Sequence, residues 1–226
     1  MGVLLAGGSL GSPHIWLGFL AGMFLMAGGH SFNSFLDYAW TGLDKGEVVN
    51  RSAEKSYTGG QNVIETGQVS LRGVLYNALS WYALALILLI IIGGWIILIG
   101  ILGMLTTFWY SKAKFNYTHE LALGVAVGPI AVLLGMFTVG GSPNVATGLL
   151  ASVPIAIVLS FIGLAVDEFP DAEANLKKGV KSIAYKVWEY KFDLSTYIGI
   201  WFGILYTYQV FLVVIGILTP LTGLSF

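Results

Sequence analysis

Three features of the chain predict an all-α, polytopic membrane bundle of about six transmembrane helices. Six apolar stretches approach the roughly 20 residues that a helix needs to cross the hydrocarbon core of a bilayer. The 226 residues are 56% hydrophobic and only 10% charged, with a mean hydropathy of +0.81; a soluble domain ordinarily carries about 25% charged residues. The charges are also confined, since every Lys, Arg, Asp and Glu falls within 37–72, 112–120 or 167–193. Residues 1–226 read as a single integral membrane domain.

Met1 to Leu10 is apolar and glycine-rich without the basic n-region of a signal peptide, and reads as the tail of a helix. The spans come next, at 13–36, 73–92, 95–111, 120–139, 145–166 and 195–217. Only Gly93-Gly94 joins the second to the third, which predicts a tight helical hairpin with Trp95 at the membrane interface, where indole rings prefer to lie. Gly140-Gly141-Ser142-Pro143-Asn144 makes a short turn between the fourth and fifth. Alternation of the spans then sends the three charged segments to one face and the bare turns to the other. All 11 basic residues lie on that one face, so the positive-inside rule makes it the cytoplasmic face of a cell membrane.

Composition also excludes. A formal net charge of −1 and a pI of about 6.3 provide no basic field for nucleic acid. The absence of Cys removes disulfides, thiolate ligands and cysteine nucleophiles. His14, His30 and His119 lack metal-ligand spacing, and His30, inside the first span, is expected to be packed and hydrogen-bonded. Gly28-Gly29, and Gly100 with Gly103, are expected to permit close helix packing.

The chemistry lies at the helix ends. Carboxylates cost several kcal/mol when taken out of water unpaired, so acids at the mouth of an apolar bundle point to a cation, a substrate group, or both. Asp167-Glu168-Phe169-Pro170-Asp171 directly follows the fifth span, and Asn33, Asp37 and Asp44 end the first. If the first helix continues past the membrane edge, 100° per residue brings Asn33, Asp37 and Asp44 within about 40° of one face, with Gly42 a point of breakage. The same arithmetic puts Asp167, Asp171 and Lys178 on one face and Asn175 about 80° round from Asp167, with Pro170 a kink point. Two such stripes suit Mg²⁺, which takes oxygen ligands and bridges carboxylates to substrate phosphates. Lys45, Arg51, Lys55, Arg72, Lys112, Lys114, Lys177, Lys178 and Lys181 supply charge for the remaining phosphate oxygens. The plainer alternative is that these are solvated connections; acids beginning at the helix ends, and two loops longer than a bundle requires, weigh against it.

Asp167-Glu168-Phe169-Pro170-Asp171-Ala172-Glu173-Ala174-Asn175, followed by Gly179-Val180-Lys181-Ser182, resembles the second aspartate-rich motif of the UbiA superfamily of intramembrane prenyltransferases, closest to its menaquinone-biosynthesis and UBIAD-type branch. Tyr110-Ser111-Lys112-Ala113-Lys114-Phe115-Asn116-Tyr117, then Glu120-Leu121, Gly124, Gly128-Pro129 and Gly135, is similar to the family's loop and following helix. Asn33-Ser34-Phe35-Leu36-Asp37 is similar to its first motif. Ser34 stands where many members have Asp, and Asn175 where a third Asp is common. The resemblance therefore implies a metal set of Asn33, Asp37, Asp167 and Asp171 for Mg²⁺. It also implies a nine-helix bundle, of which this chain would supply six spans and lack helices at both ends.

The function implied by the resemblance is transfer of an isoprenyl group from a prenyl diphosphate to an aromatic, quinone-precursor-like acceptor within the lipid bilayer. Asp37, Asp167, Asp171 and Tyr117 are the catalytic residues implied. Asn33, Lys45, Arg51, Lys112, Lys114, Asn116, Lys178 and Lys181 are implied for substrate binding. The tail would run past Phe19, Met23, Met26 and the aromatics near Trp109. Tyr117, Asn116, His119 and Glu120 would orient the acceptor, unless Tyr117 is an interfacial anchor and His119 and Glu120 merely an exposed helix start. The rival readings are a membrane transporter, a non-catalytic membrane subunit, and a related enzyme with a non-aromatic acceptor such as a glyceryl phosphate lipid. A transporter would be expected to carry ionisable groups or broken helices near the midplane, often with internal repeats; here the charges stop at one face, and Pro129 and Pro154 are the only deep prolines. The D-G-x-x-A-R signature of a phosphatidyl-type transferase is absent.

Overall fold

A computed structural model describes residues 1–8, 11–43, 45, 64–140, 143–169 and 172–219. Its helices, in chain order, are α1 (Gly2–Leu5), α2 (Pro13–Ala39), α3 (Leu71–Ile92), α4 (Ile96–Ala113), α5 (His119–Phe137), α6 (Val145–Glu168), α7 (Ala172–Lys177), α8 (Ile183–Glu189) and α9 (Leu194–Val214). No strand occurs among the described residues. The six helices α2, α3, α4, α5, α6 and α9 are long and apolar enough to cross a membrane, and each falls on an expected span.

Local chemistry sets the helix ends. Pro13 enters α2 at its first turn, where a missing N–H leaves nothing unpaired. Ser70 Oγ accepts the Gly73 N–H at 3.0 Å to start α3, and Asn144 Oδ1 accepts the Thr147 N–H at 3.1 Å to start α6. Asp193 Oδ2 does the same for Thr196 at 3.0 Å at the head of α9. Each pairs a donor that a helix start otherwise leaves open. Gly93 and Gly94 reverse the chain between α3 and α4 at φ 80° and 74°, a region that penalises any Cβ. Trp95 follows, exposed at the hairpin's tip.

Lipid tails are as apolar as leucine, so packing inside a bilayer depends on how closely backbones approach. A Cβ on Gly28 of α2 would lie 2.5 Å from the Tyr82 ring of α3, and one on Gly100 of α4 would lie 2.1 Å from Leu89 Cδ1. These glycines act as spacers, as expected. Helices α5 and α6 each contain a π-helical stretch, Ala126–Ile130 around Pro129 and Ile157–Gly163 just beyond Pro154. Proline lacks the N–H that continues an α-helix, and a widened turn accommodates the gap. Gly128 then meets α6 so closely that a Cβ would stand 2.8 Å from Ala156 Cβ and 3.1 Å from Ser152 O. Gly128→Val is expected to destabilise the bundle by about 1–3 kcal/mol through overpacking. Gly199→Ala, where a Cβ meets nothing within 4 Å, should not; thermal unfolding of both variants in detergent checks the contrast.

The described parts of the three charged segments converge at one end of the bundle. Lys178 Nζ donates to Leu43 O at 2.6 Å, and the Lys181 N–H donates to Lys114 O at 2.6 Å. Leu43, Ala172, Val180 and Tyr185 form a small buried core there, flanked by Phe115 and Leu176. Helices α7 and α8 thus belong to a cap with its own apolar centre, docked on the ends of α2 and α4.

Several expectations are corrected. Helix α2 stops at Ala39, with the Trp40 and Thr41 N–H groups both on Leu36 O and Gly42 left-handed at φ 71°. It therefore cannot carry Asn33, Asp37 and Asp44 as one stripe, and Asp44 lies outside the described residues. Likewise α6 ends at Glu168 and α7 begins at Ala172, so no single helix presents Asp167 and Lys178 on one face. Pro170 and Asp171, between them, lie outside the described residues. His30 is exposed rather than packed. Phe19, Met23 and Met26 are 59%, 51% and 63% exposed rather than enclosed between helices.

Candidate functional site

The site is built outward from Asp37, on the last turn of α2 and only 1% exposed. Asn33, one turn earlier, donates through Nδ2 to Asp37 Oδ2 at 2.8 Å, while its Oδ1 accepts from Ser111 Oγ at 3.1 Å. Lys114 Nζ forms an ion pair with the same Asp37 oxygen. Ser111 lies in the last turn of α4 and Lys114 caps it, where the exposed carbonyls of a helix C-terminus favour a cation. Among the described residues, the second oxygen, Asp37 Oδ1, meets only the Thr41 hydroxyl, at 3.5 Å.

A continuous line of contacts leads from this pair to the other acid cluster. Lys114 Nζ lies 5.2 Å from the centre of the Tyr110 ring, one helical turn back. The Tyr110 and His119 ring centroids are 4.3 Å apart. His119 Nδ1 is 3.0 Å from Glu168 Oε1, at ion-pair distance but out of line for a hydrogen bond. Glu168, Asp37 and Asp167 are all near enough to act electrostatically on the Tyr110 hydroxyl. Two acid clusters distant in sequence therefore share one neighbourhood, with Tyr110 between them.

The remaining expected residues fall into three groups. Lys178 and Lys181 join the cap to the bundle through the bonds to Leu43 and Lys114. At the rim, Lys45 lies 5.9 Å from the Tyr38 ring and Lys112 lies 5.0 Å from the Trp40 ring. Asn116 and Tyr117 are also exposed there: Asn116 Oδ1 accepts from Thr118 N at 3.2 Å and Oγ1 at 2.6 Å, and Tyr117 holds a left-handed φ of 61° with Lys181 and Lys186 each 5.9 Å from its ring. Asp167 is exposed at the end of α6. Asp171 and Arg51 lie outside the described residues.

Departures from the motif have local reasons. Ser34 bonds back to His30 O at 3.2 Å and takes no part in the Asp37 network. Asn175 donates to the Tyr185 hydroxyl at 2.5 Å. Burial, then Glu168, pushes the Tyr185 phenol well above its ordinary range, so it stays protonated. Glu173 faces solvent, and a hydrogen bond from Lys177 holds its carboxyl below the ordinary range.

His119 and Glu120 are 1% and 2% exposed, which overturns the reading of an exposed helix start. Glu120 Oε1 accepts from Ser182 Oγ at 2.8 Å and from the Ile183 N–H at 2.5 Å. The sequence alone does not single out Tyr110, Ser111, Glu168 or Tyr185 individually. The i, i+4 spacing of Tyr110 and Lys114 is a usable signal for the first; nothing local announces Tyr185.

Among the described residues, no three of His, Asp and Glu are grouped to hold a metal ion. The donors present nonetheless fit a hard cation: the carboxylates of Asp37 and Asp167 offer only oxygen, and among the described residues Asp37 Oδ1 meets only the Thr41 hydroxyl. Compared with known proteins, residues 1–226 match the model of the UbiA prenyltransferase family. No curated protein and no solved structure gives a match.

Proposed function

The chain belongs to the UbiA prenyltransferase family, and from that premise we propose that it transfers an isoprenyl group from a prenyl diphosphate to an aromatic, quinone-precursor-like acceptor at the charged end of the bundle. The observation that carries this reading is the unbroken line Asp37, Lys114, Tyr110, His119, Glu168, which supports a shared site for the two acidic motifs. With its charged segments gathered at one end, positive-inside logic makes that end cytoplasmic, in a cell membrane.

Asn33, Asp37, Asp167 and Asp171 are the residues that would hold Mg²⁺. Bound there, the ion would neutralise charge building on the diphosphate oxygens as the allylic C–O bond ionises. Lys114 is the mobile charge: its ammonium now sits on Asp37 and can change partner to a phosphate oxygen. Lys178 and Lys181 add charge from the cap side, while Lys45 and Lys112 lie at the rim as a basic approach for the anionic donor. The apolar bundle below keeps water from the cation.

Purified protein supplied with Mg²⁺, a labelled prenyl diphosphate and a panel of hydroxyarenes should give prenylated product, with EDTA reducing turnover by at least about 100-fold. Turnover undiminished by EDTA would remove the metal from the reading. Uptake of donor into liposomes without diphosphate release would replace the enzyme by a transporter.

A further inference from the structure

Beside the Asp37 network lies a buried polar cluster that diphosphate ionisation does not use. Among the described residues, both ring nitrogens of His119, Glu120 Oε2 and Glu168 Oε2 are buried without hydrogen-bond partners. Five elements surround them. Tyr110 of α4 stacks on the imidazole, Glu168 of α6 meets Nδ1, and Glu120 neighbours it on α5. Glu120 and Glu168 also act on the hydroxyls of Tyr185 on α8 and Tyr197 on α9. Lys114, 5.2 Å from the centre of the Tyr110 ring, is engaged with Asp37.

Glu168 Oε1, 3.0 Å from Nδ1 though out of line for a hydrogen bond, favours by its charge a proton on that nitrogen, which leaves a lone pair on Nε2. A buried polar atom without a partner is expensive to keep, and calls for a ligand group or a catalytic duty. A lone pair on a neutral imidazole nitrogen accepts a proton from an acidic O–H brought against it. Resting on the prenyltransferase reading above, we infer that His119 Nε2 is the proton acceptor for the aromatic acceptor, with Glu168 as the positioning residue behind it. The acceptor's phenolic O–H proton passes to Nε2, its bonding pair remaining on oxygen. The ring carbon then supplies the pair that forms the new C–C bond as the allylic C–O pair leaves with diphosphate. The resulting dienone tautomerises, its ring C–H proton re-forming the O–H, so the one proton lost overall is the one on His119. Glu120 and Glu168 lie beside His119, so the inference also selects a substrate class: neutral hydroxyarenes, which bring no further negative charge against those carboxylates, over aryl carboxylates.

The test measures prenylation of a hydroxyarene across pH by the intact protein and by His119→Asn and Glu168→Gln. For His119→Asn the expected result is a fall in kcat of about 100-fold, loss of the acidic limb of the pH–rate profile, and unchanged affinity for a non-ionisable prenyl diphosphate analogue. Glu168→Gln should displace that limb while keeping the same donor affinity. An unaltered profile in Glu168→Gln overturns the inference, even if His119→Asn fails to fold. So does a His119→Asn variant within about threefold of the parent, one whose donor affinity falls in step with kcat, or a parent that prefers the matched aryl carboxylate. Failure of the underlying reading looks different, because the parent protein would then release no diphosphate with any acceptor.

Discussion

Asp37→Ala lowers prenyl transfer by about 1,000-fold or more, and lowers stability by about 3–5 kcal/mol. The two effects have separate origins. Activity falls because Asp37 is the buried member of the proposed metal set, hydrogen-bonded to Asn33 and oriented by it. Stability falls because Lys114, with its side chain only 13% exposed, loses its counter-ion; an uncompensated charge in a dry site costs far more than the intact pair contributes. A double variant separates them. Asp37→Leu with Lys114→Met removes both charges together, so it should recover most of the thermal midpoint while remaining inactive. Measuring unfolding in detergent beside turnover decides the matter. A double variant as unstable as Asp37→Ala, or a single variant within tenfold of parental activity, would sink the assignment.

The legible and the hidden parts of this fold divide along physical lines. The spans are readable because a bilayer demands some 20 apolar residues at a stretch, a constraint written directly into composition. Convergence of the charged segments comes from counting helices, and the Lys114–Asp37 and Glu120–Ser182 contacts bear it out. Helical arithmetic fails where the helix itself ends: Gly42 and Pro170 are recognisable as weak points, yet the stripes through Asp44 and Lys178 assume continuity across them. His119 and Glu120 are ambiguous because an ionisable pair at a helix start is ordinarily solvated. Here Glu120 is covered by Ser182 and Ile183 of the cap, and His119 by Tyr110 and Glu168, contacts between distant parts of the chain. Tyr110 shows the same limitation. Its aromatic character marks it as an interfacial residue, and only packing places it between Lys114 and His119.

Glu120→Ala should release the cap. The Glu120 carboxylate is held at 2.8 Å by Ser182 Oγ and at 2.5 Å by the Ile183 N–H, and so ties the segment entering α8 to the first turn of α5. Hydrogen bonds to a charged group contribute about 1.5–3 kcal/mol each, so losing two shifts the docked population by at least about 100-fold. Among the described residues, Lys178 to Leu43 O and the Lys181 N–H to Lys114 O also tie the cap down, beside the packing of Ile183 and Val187 with Ala165 and Tyr197. Amide exchange across 178–189 should therefore accelerate by about that factor, while exchange in the core of α3 and α4 stays slow. Glu120→Gln keeps an acceptor oxygen for Ile183 and should loosen the cap far less. Turnover should follow the exchange rates in order, since Lys178, Lys181 and Tyr185 leave the site together. Exchange in Glu120→Ala matching that of the parent would mean that the small apolar core of the cap, and not the carboxylate, is what holds it down.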